Sequence, residues 1–149
     1  KGERPELEEI IRILVGPFVR AGRDKHSRSF YYPRLVMLAR AMPGDHMGAY
    51  ISAQHDELAR RFIRAMRRAT PELGEETAYW RYGFAIGAML NVVGDAYWSY
   101  RLKGLSQGRC DTDQADRVTE ELVSFIAAGM RGSPLDVGKK HRSMKRKTR

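Results

Sequence analysis

Four histidines, 18 acidic residues and a single cysteine set the limits of the chemistry that this chain of 149 residues could perform. His26, His46, His55 and His141 never fall three or four positions apart, so no two of them share a helix face. No Glu-x-x-His pair occurs, which argues against the di-iron site of a ferritin-like bundle. No Cys/His spacing suits zinc. The phosphate-binding glycine signatures and the Gly-x-Ser-x-Gly elbow are missing too. His55-Asp56-Glu57 resembles acid–base material, but consecutive helical residues point in different directions, and a surface cluster is the plainer reading. Cys110 has no internal disulfide partner and fits a reducing, cytoplasmic setting. It lies among Gly, Asp and Ser and takes no role. The sequence therefore offers no catalytic residue, no metal site and no cofactor site, and it does not read as an enzyme.

What it offers instead is a surplus of large, adaptable apolar groups. Tyr31, Tyr32, Met37, Met47, Tyr50, Phe62, Met66, Tyr79, Trp80, Tyr82, Phe84, Met89, Tyr97 and Trp98 are spread over three helical segments, and Tyr31, Met37, Met47, Tyr50, Phe62, Trp80, Phe84 and Met89 are the expected lining. Methionine adapts its shape, and Tyr and Trp add a polar handle to an apolar wall. Such a composition suits a small apolar ligand held between helices. Arg81 and Asn91 are the candidates for a polar head on that ligand. A packed core without a ligand is the competing reading.

The elements that must position these groups are all helical. A first helix is expected from Pro5 to about Ala21, with Leu7, Ile10, Ile11, Leu14, Val15 and Phe18 as its apolar stripe and Pro17 bending or ending it. A second runs from about Ser29 to Ala41. A third spans about Asp45 to Ala69, with Asp45 as its N-cap and Arg60, Arg61, Arg64, Arg67 and Arg68 on a solvated face. The fourth extends from Pro71, behind a Thr70 cap, to about Lys103. The last starts near Thr112 and ends near Arg131. No strand pattern competes, so the fold class is all-α with five helices.

The fourth helix is the most telling. It is apolar almost all round, yet Gly83, Gly87 and Gly94 interrupt it. Each glycine in a helix interior costs about 1 kcal/mol relative to alanine. Close approach of another helix is the usual compensation, and a helix apolar on several faces is covered on several sides. A second copy of the chain is expected to supply part of that cover. The dimer-forming set is Gly83, Gly87 and Gly94 with Val118, Leu122, Phe125, Ile126 and Gly129 of the last helix.

The net charge of +9 is misleading. Lys139, Lys140, Arg142, Lys145, Arg146, Lys147 and Arg149 hold seven of the 27 basic residues. The rest carries 20 basic against 18 acidic residues, close to neutral. The chain divides into a domain at 1–132 and a basic, disordered tail at 133–149. No run is apolar enough to span a membrane.

The order PELEEIIRILVGPFVRAG, LVMLARAM, LARRFIRAMRRATPEL, WRYGFAIGAMLNVVGDA and ADRVTEELVSFIAAGMRG resembles the C-terminal regulatory domain of tetracycline-repressor (TetR) family transcription regulators. The nearest likeness is to the fatty-acid-responsive branch. Phe62, Ala65, Met66, Arg68, Ala69, Pro71, Leu73, Trp80, Arg81 and the run from Gly87 to Leu90 occupy its junction and Trp-Arg helix. The likeness covers roughly residues 5 to 132. It implies a ligand-sensing repressor domain, a homodimer through a four-helix bundle of the last two helices, and release of operator DNA when an apolar, acyl-type effector binds. The family's N-terminal helix-turn-helix has no counterpart in residues 1–30, so operator binding is expected only through a part absent from this sequence. The alternatives from other classes are a helical interaction module without a ligand and a small helical enzyme.

Overall fold

The computed structural model describes residues 6–24, 26–41, 46–98 and 100–133. Among them are six α-helices and one 3-10 turn: α1 (Leu7–Ala21), the turn Arg28–Tyr31, α2 (Tyr32–Ala41), α3 (His46–Ala69), α4 (Glu75–Trp98), α5 (Arg101–Leu105) and α6 (Ala115–Arg131). No strand occurs among the described residues. The Asp45 cap and the basic tail from residue 134 onward lie outside the described residues, as does the side chain of Met47.

The core is built on α1 and α6. In α1, Leu7, Ile10, Ile11, Val15 and Val19 are buried at helical spacing. In α6 the buried set is Val118, Thr119, Leu122, Val123, Ile126, Ala127 and Met130. The two stripes belong to one apolar cluster, and burial of this kind is the main stabilising term for such helices. Near the start of α1, Glu8 meets Arg131 at the end of α6, with Nη2–Oε2 at 2.7 Å. One turn further along, Arg12 meets Glu120 in the first half of α6. The pairing order makes the two helices antiparallel. Ile63 and Met66 of α3 and Ala78, Ala85, Met89 and Val93 of α4 complete the core.

Several boundaries differ from the sequence reading, each for a local reason. Pro17 is accommodated inside α1, which continues to Ala21. The second helical segment is preceded by a 3-10 turn capped by Ser27, whose side chain accepts from the Ser29 backbone N–H. Thr70 does not cap the fourth helix. Its hydroxyl donates to the Met66 carbonyl at 2.8 Å and so closes the end of α3. Pro71 therefore lies in a turn, and α4 starts at Glu75. At the other end, the Tyr100 N–H reaches back to the Asp95 carbonyl at 2.9 Å, and Tyr100 adopts φ 46°, ψ 35°. That left-handed residue separates α4 from the short α5, which the sequence reading had merged with it. The Asp95 carboxylate accepts from Leu102 N–H at 3.1 Å and from Thr112 Oγ1 at 3.2 Å, so it holds α5 and the α6 approach together.

Candidate functional site

Two surfaces stand out, and both use α4. On its inner face Tyr82, Ile86, Met89 and Val93 follow one another at spacings of four, three and four. Met89 and Val93 are buried, while Tyr82 and Ile86 are half-buried against the same core. On its outer face Trp80, Gly83, Phe84, Gly87 and Asn91 are exposed, again at helical spacing.

The inner surface lies where α2, α3 and α4 meet. Of the residues selected as ligand lining, Met37 is buried on α2 but stands apart from the main core. Phe62 of α3 packs against the core that contains Met89. Tyr31 and Tyr50 are exposed, at 65% and 63%. The structure does not gather all eight around one centre. Trp80 and Phe84 lie on the opposite face of α4, where their rings stack 6.2 Å apart. The two polar-head candidates are also placed elsewhere. Arg81 Nη1 donates to the Met130 carbonyl at 2.8 Å, tying α4 to the last turn of α6, and Asn91 is exposed on the outer face.

Two tyrosines on this inner side belong to the apolar surplus of the sequence but not to the residues expected to line the site. The Tyr82 hydroxyl is pushed above its ordinary pKa by burial, with the charges of Arg40 and Asp56 within reach. Tyr32 bonds across to His55 Nε2, linking α2 to α3, and burial raises its pKa as well. Tyrosine at helical spacing looks the same whether its hydroxyl ends in solvent or between helices, so nothing in the sequence separates these two from their neighbours.

At the C-terminal end of α4 the polar groups are denser. Tyr97 Oη donates to the Gly22 carbonyl at 2.7 Å and lies 3.3 Å from that of Phe30. The Phe30 and Tyr97 rings meet edge to face at 5.8 Å. The Arg34 guanidinium sits over Tyr97 at 4.2 Å, Phe30 at 5.0 Å and Tyr31 at 5.8 Å. Arg23 is drawn inward, its Nε donating to the Thr112 carbonyl at 2.9 Å. Burial lowers its pKa. Burial also raises that of Tyr97, against the opposing pull of Arg23 and Arg34.

The outer surface combines α4 and α6. Trp80 and Phe84 are 61% and 66% exposed, and Phe125 of α6 is 66% exposed. A Cβ built on Gly83, Gly87 or Gly129 meets no atom within 4 Å. Among the described residues, therefore, nothing requires glycine at those three positions. The remaining members of the expected dimer set face the other way. Val118, Leu122 and Ile126 are turned toward α1 in the chain's own core, and Gly94 is buried. The sequence stripe of α6 merged two faces because Phe125 and Ile126 are neighbours about 100° apart around the helix.

The basic face of α3 behaves as an ordinary solvated surface. Arg64, Arg61 and Arg60 converge on Glu57 at 3.2, 3.5 and 3.8 Å, and Arg67 pairs with Glu75 at 3.4 Å. The hydrogen bond from Arg64 is the leading reason why Glu57 lies below the usual carboxylate range. No group of three or more metal-ligating side chains occurs among the described residues. No described helix is long and apolar enough to cross a membrane.

The family profile for tetracyclin repressor-like C-terminal domains matches residues 12–129. Neither the curated proteins nor the solved structures give a match. The match runs from within α1 nearly to the end of α6 and takes in both faces of α4 and most of the α6 side of the core. The chain thus belongs to the tetracycline-repressor-like C-terminal domain family, the regulatory part of a class of transcription regulators.

Proposed function

We propose that this domain is the effector-sensing and dimerisation part of a cytoplasmic transcriptional repressor. The observation that carries the dimer is the outer face of α4 and α6. Three exposed aromatic rings stand beside three helical glycines that meet open space. Helical glycine costs about 1 kcal/mol each, and a neighbouring helix packed closely against them offsets that cost. A two-fold partner presenting the same α4/α6 face would bury the rings and form a four-helix bundle.

The effector site in this reading lies on the other side of α4, at its junction with α2 and α3. Met37, Phe62, Tyr82 and Met89 supply apolar surface there, and Tyr31 and Tyr50 border it. Because α4 is shared, an effector that moves its inner face also moves the dimer contact. A ligand that prefers one arrangement of the pair shifts the population toward it. Operator release follows when the preferred arrangement no longer sets the DNA-reading units one helical turn apart. Reading of DNA belongs to the family's N-terminal unit and not to these helices.

Sedimentation at micromolar concentration, with and without an added long-chain acyl compound, tests both halves. A dimer whose Trp fluorescence responds saturably to the compound supports the proposal. A monomeric wild-type chain removes the dimerisation role, and a dimer that binds no acyl compound removes the acyl-effector role.

A further inference from the structure

Arg34 occupies an unusual position for an exposed arginine. Three aromatic rings cover its guanidinium, at 4.2, 5.0 and 5.8 Å. Ring contacts of this kind engage the guanidinium charge without consuming its N–H hydrogen bonds. Among the described residues none of those N–H donors has an acceptor and no carboxylate lies within ion-pair distance. Several other surface arginines have acidic partners; Arg20, Arg28, Arg40, Arg68 and Arg101 have none among the described residues, so what sets Arg34 apart is its rings. Arg12 and Arg131 each grip a glutamate with two bonds, and Arg60, Arg61, Arg64, Arg67 and Arg117 all have acidic partners. Close by, Arg23 spends its hydrogen bonds on backbone carbonyls, and Asp113 and Asp95 act on its charge without pairing with it directly.

The surroundings of Arg34 along α2 are apolar and open. Tyr31, Leu35 and Leu38 are 65%, 46% and 57% exposed. With Arg34 they fall at i, i+3, i+4 and i+7, one continuous stripe on one face. A single pre-oriented cation set in an exposed apolar stripe is complementary to a molecule with one anionic end and an apolar body. A guanidinium edge matches a planar carboxylate with two parallel bonds. Holding the cation by its rings before the ligand arrives lowers the ordering cost of binding.

We infer that Arg34 is the head-group anchor for an amphiphilic carboxylate whose apolar chain lies along Tyr31, Leu35 and Leu38. This rests on the effector-sensing reading, specifies a free carboxylate as the effector's head, and places its chain on the exposed stripe of α2 instead of among Met37, Phe62, Tyr82 and Met89. It also moves the polar contact from Arg81, which is committed to α6, to the Tyr97 end of α4. The positive charge of Arg23 behind Tyr97 adds attraction without a direct contact.

The test is calorimetric titration of the full chain with decanoate, with methyl decanoate and with acetate. The wild type should bind decanoate about tenfold tighter than the ester and acetate hardly at all. Arg34→Gln should bring the acid-to-ester ratio close to one while leaving ester affinity unchanged. Leu38→Ser, on an exposed site that the fold does not need, should weaken acid and ester together and keep their ratio. Arg117→Gln, on α6, should change nothing. An acid-to-ester ratio that survives Arg34→Gln overturns the anchor but leaves the effector reading intact. Binding of neither compound to the wild type overturns both. Co-sedimentation with phosphatidylglycerol vesicles that depends on Arg34, in protein showing no acid-over-ester preference, makes the stripe a membrane contact and overturns the assignment to a free carboxylate.

Discussion

Arg12 and Glu120 meet as a two-pronged ion pair between α1 and α6, with Nε–Oε1 and Nη2–Oε2 both at 2.9 Å. A second pair, Glu8 with Arg131, joins the same two helices one turn earlier on α1 and at the end of α6. Together they bracket Ile10 and Ile11 on α1 and the Leu122 to Met130 part of the α6 stripe. The hydrogen bond from Arg131 is the leading cause that holds Glu8 below its ordinary pKa, and the one from Arg12 does the same for Glu120.

Acid should therefore weaken the fold through these two carboxylates. A group whose folded pKa is depressed contributes stability above its unfolded value, 4.5 for glutamate, and loses it as pH falls through the lower folded value. Both pairs are exposed, so the effect is modest. Urea midpoints measured from pH 6 down to pH 3 should fall for the wild type. Glu8→Gln combined with Glu120→Gln should start lower at pH 6 and fall less. Identical slopes for the two proteins would show that neither pair contributes.

The core between the bracketing pairs should be far more sensitive. Ile11 is fully buried, at 0% exposure, in the cluster that joins α1 to α6. Ile11→Ala should cost about 2–5 kcal/mol, the range for removing such a side chain from a packed core. Chemical denaturation with the slope held in view checks it, since a changed midpoint at constant slope reports stability alone. Ile13→Ala is the control: Ile13 is 60% exposed, and its loss should cost well under 1 kcal/mol.

Dimer-breaking substitutions are now better aimed than the sequence alone allowed. Leu122 is buried in the chain's own core, so a charge there would unfold the domain and say nothing about association. Phe84→Glu and Gly87→Arg change exposed positions that make no demand on the folded chain. Both should give folded, helical monomer in sedimentation velocity with an unchanged circular dichroism spectrum. Persistence of a dimer in both would move the interface away from the outer face of α4.

The helical class and the α1 stripe were legible because each rests on a pattern within one segment, and the family because the order of several such segments carries it. Leu7, Ile10, Ile11 and Val15 recur at helical spacing and are buried as that spacing requires. What the sequence concealed was direction around each helix. Trp80 and Phe84 read as ligand wall and stand on the outside of α4. Arg81 read as a head-group holder and caps the end of α6. A one-residue difference turns a side chain by about 100°, and in a helix apolar on several faces nothing local marks which face is inward. Tyr100 was hidden for another reason. Its left-handed conformation comes with contacts in three dimensions, among them the Asp95 carbonyl and carboxylate at the break.

Gly22 supplies the sharpest check on the Tyr97 end of the domain. Its backbone, at φ −69° and ψ −8°, suits any residue, so conformational freedom does not explain it. Space does. A Cβ there would lie 2.7 Å from Tyr97 Oη and 3.1 Å from Val93 Cγ1. The same hydroxyl donates to the Gly22 carbonyl at 2.7 Å, so a methyl group would press on the side chain that bonds the residue's own carbonyl. Gly22→Ala should cost about 1–3 kcal/mol through overpacking, although alanine is the better helix former at a helix end. Tyr97→Phe should cost about 0.5–1.5 kcal/mol for the lost hydrogen bond. In the double variant the hydroxyl part of the clash disappears and only the Val93 and ring contacts remain, so the two costs should sum to more than the observed loss. A thermodynamic cycle over the four proteins measures that coupling. Strict additivity would mean that Gly22 and Tyr97 do not touch as described, and the position of Arg34 above the same ring would lose its support.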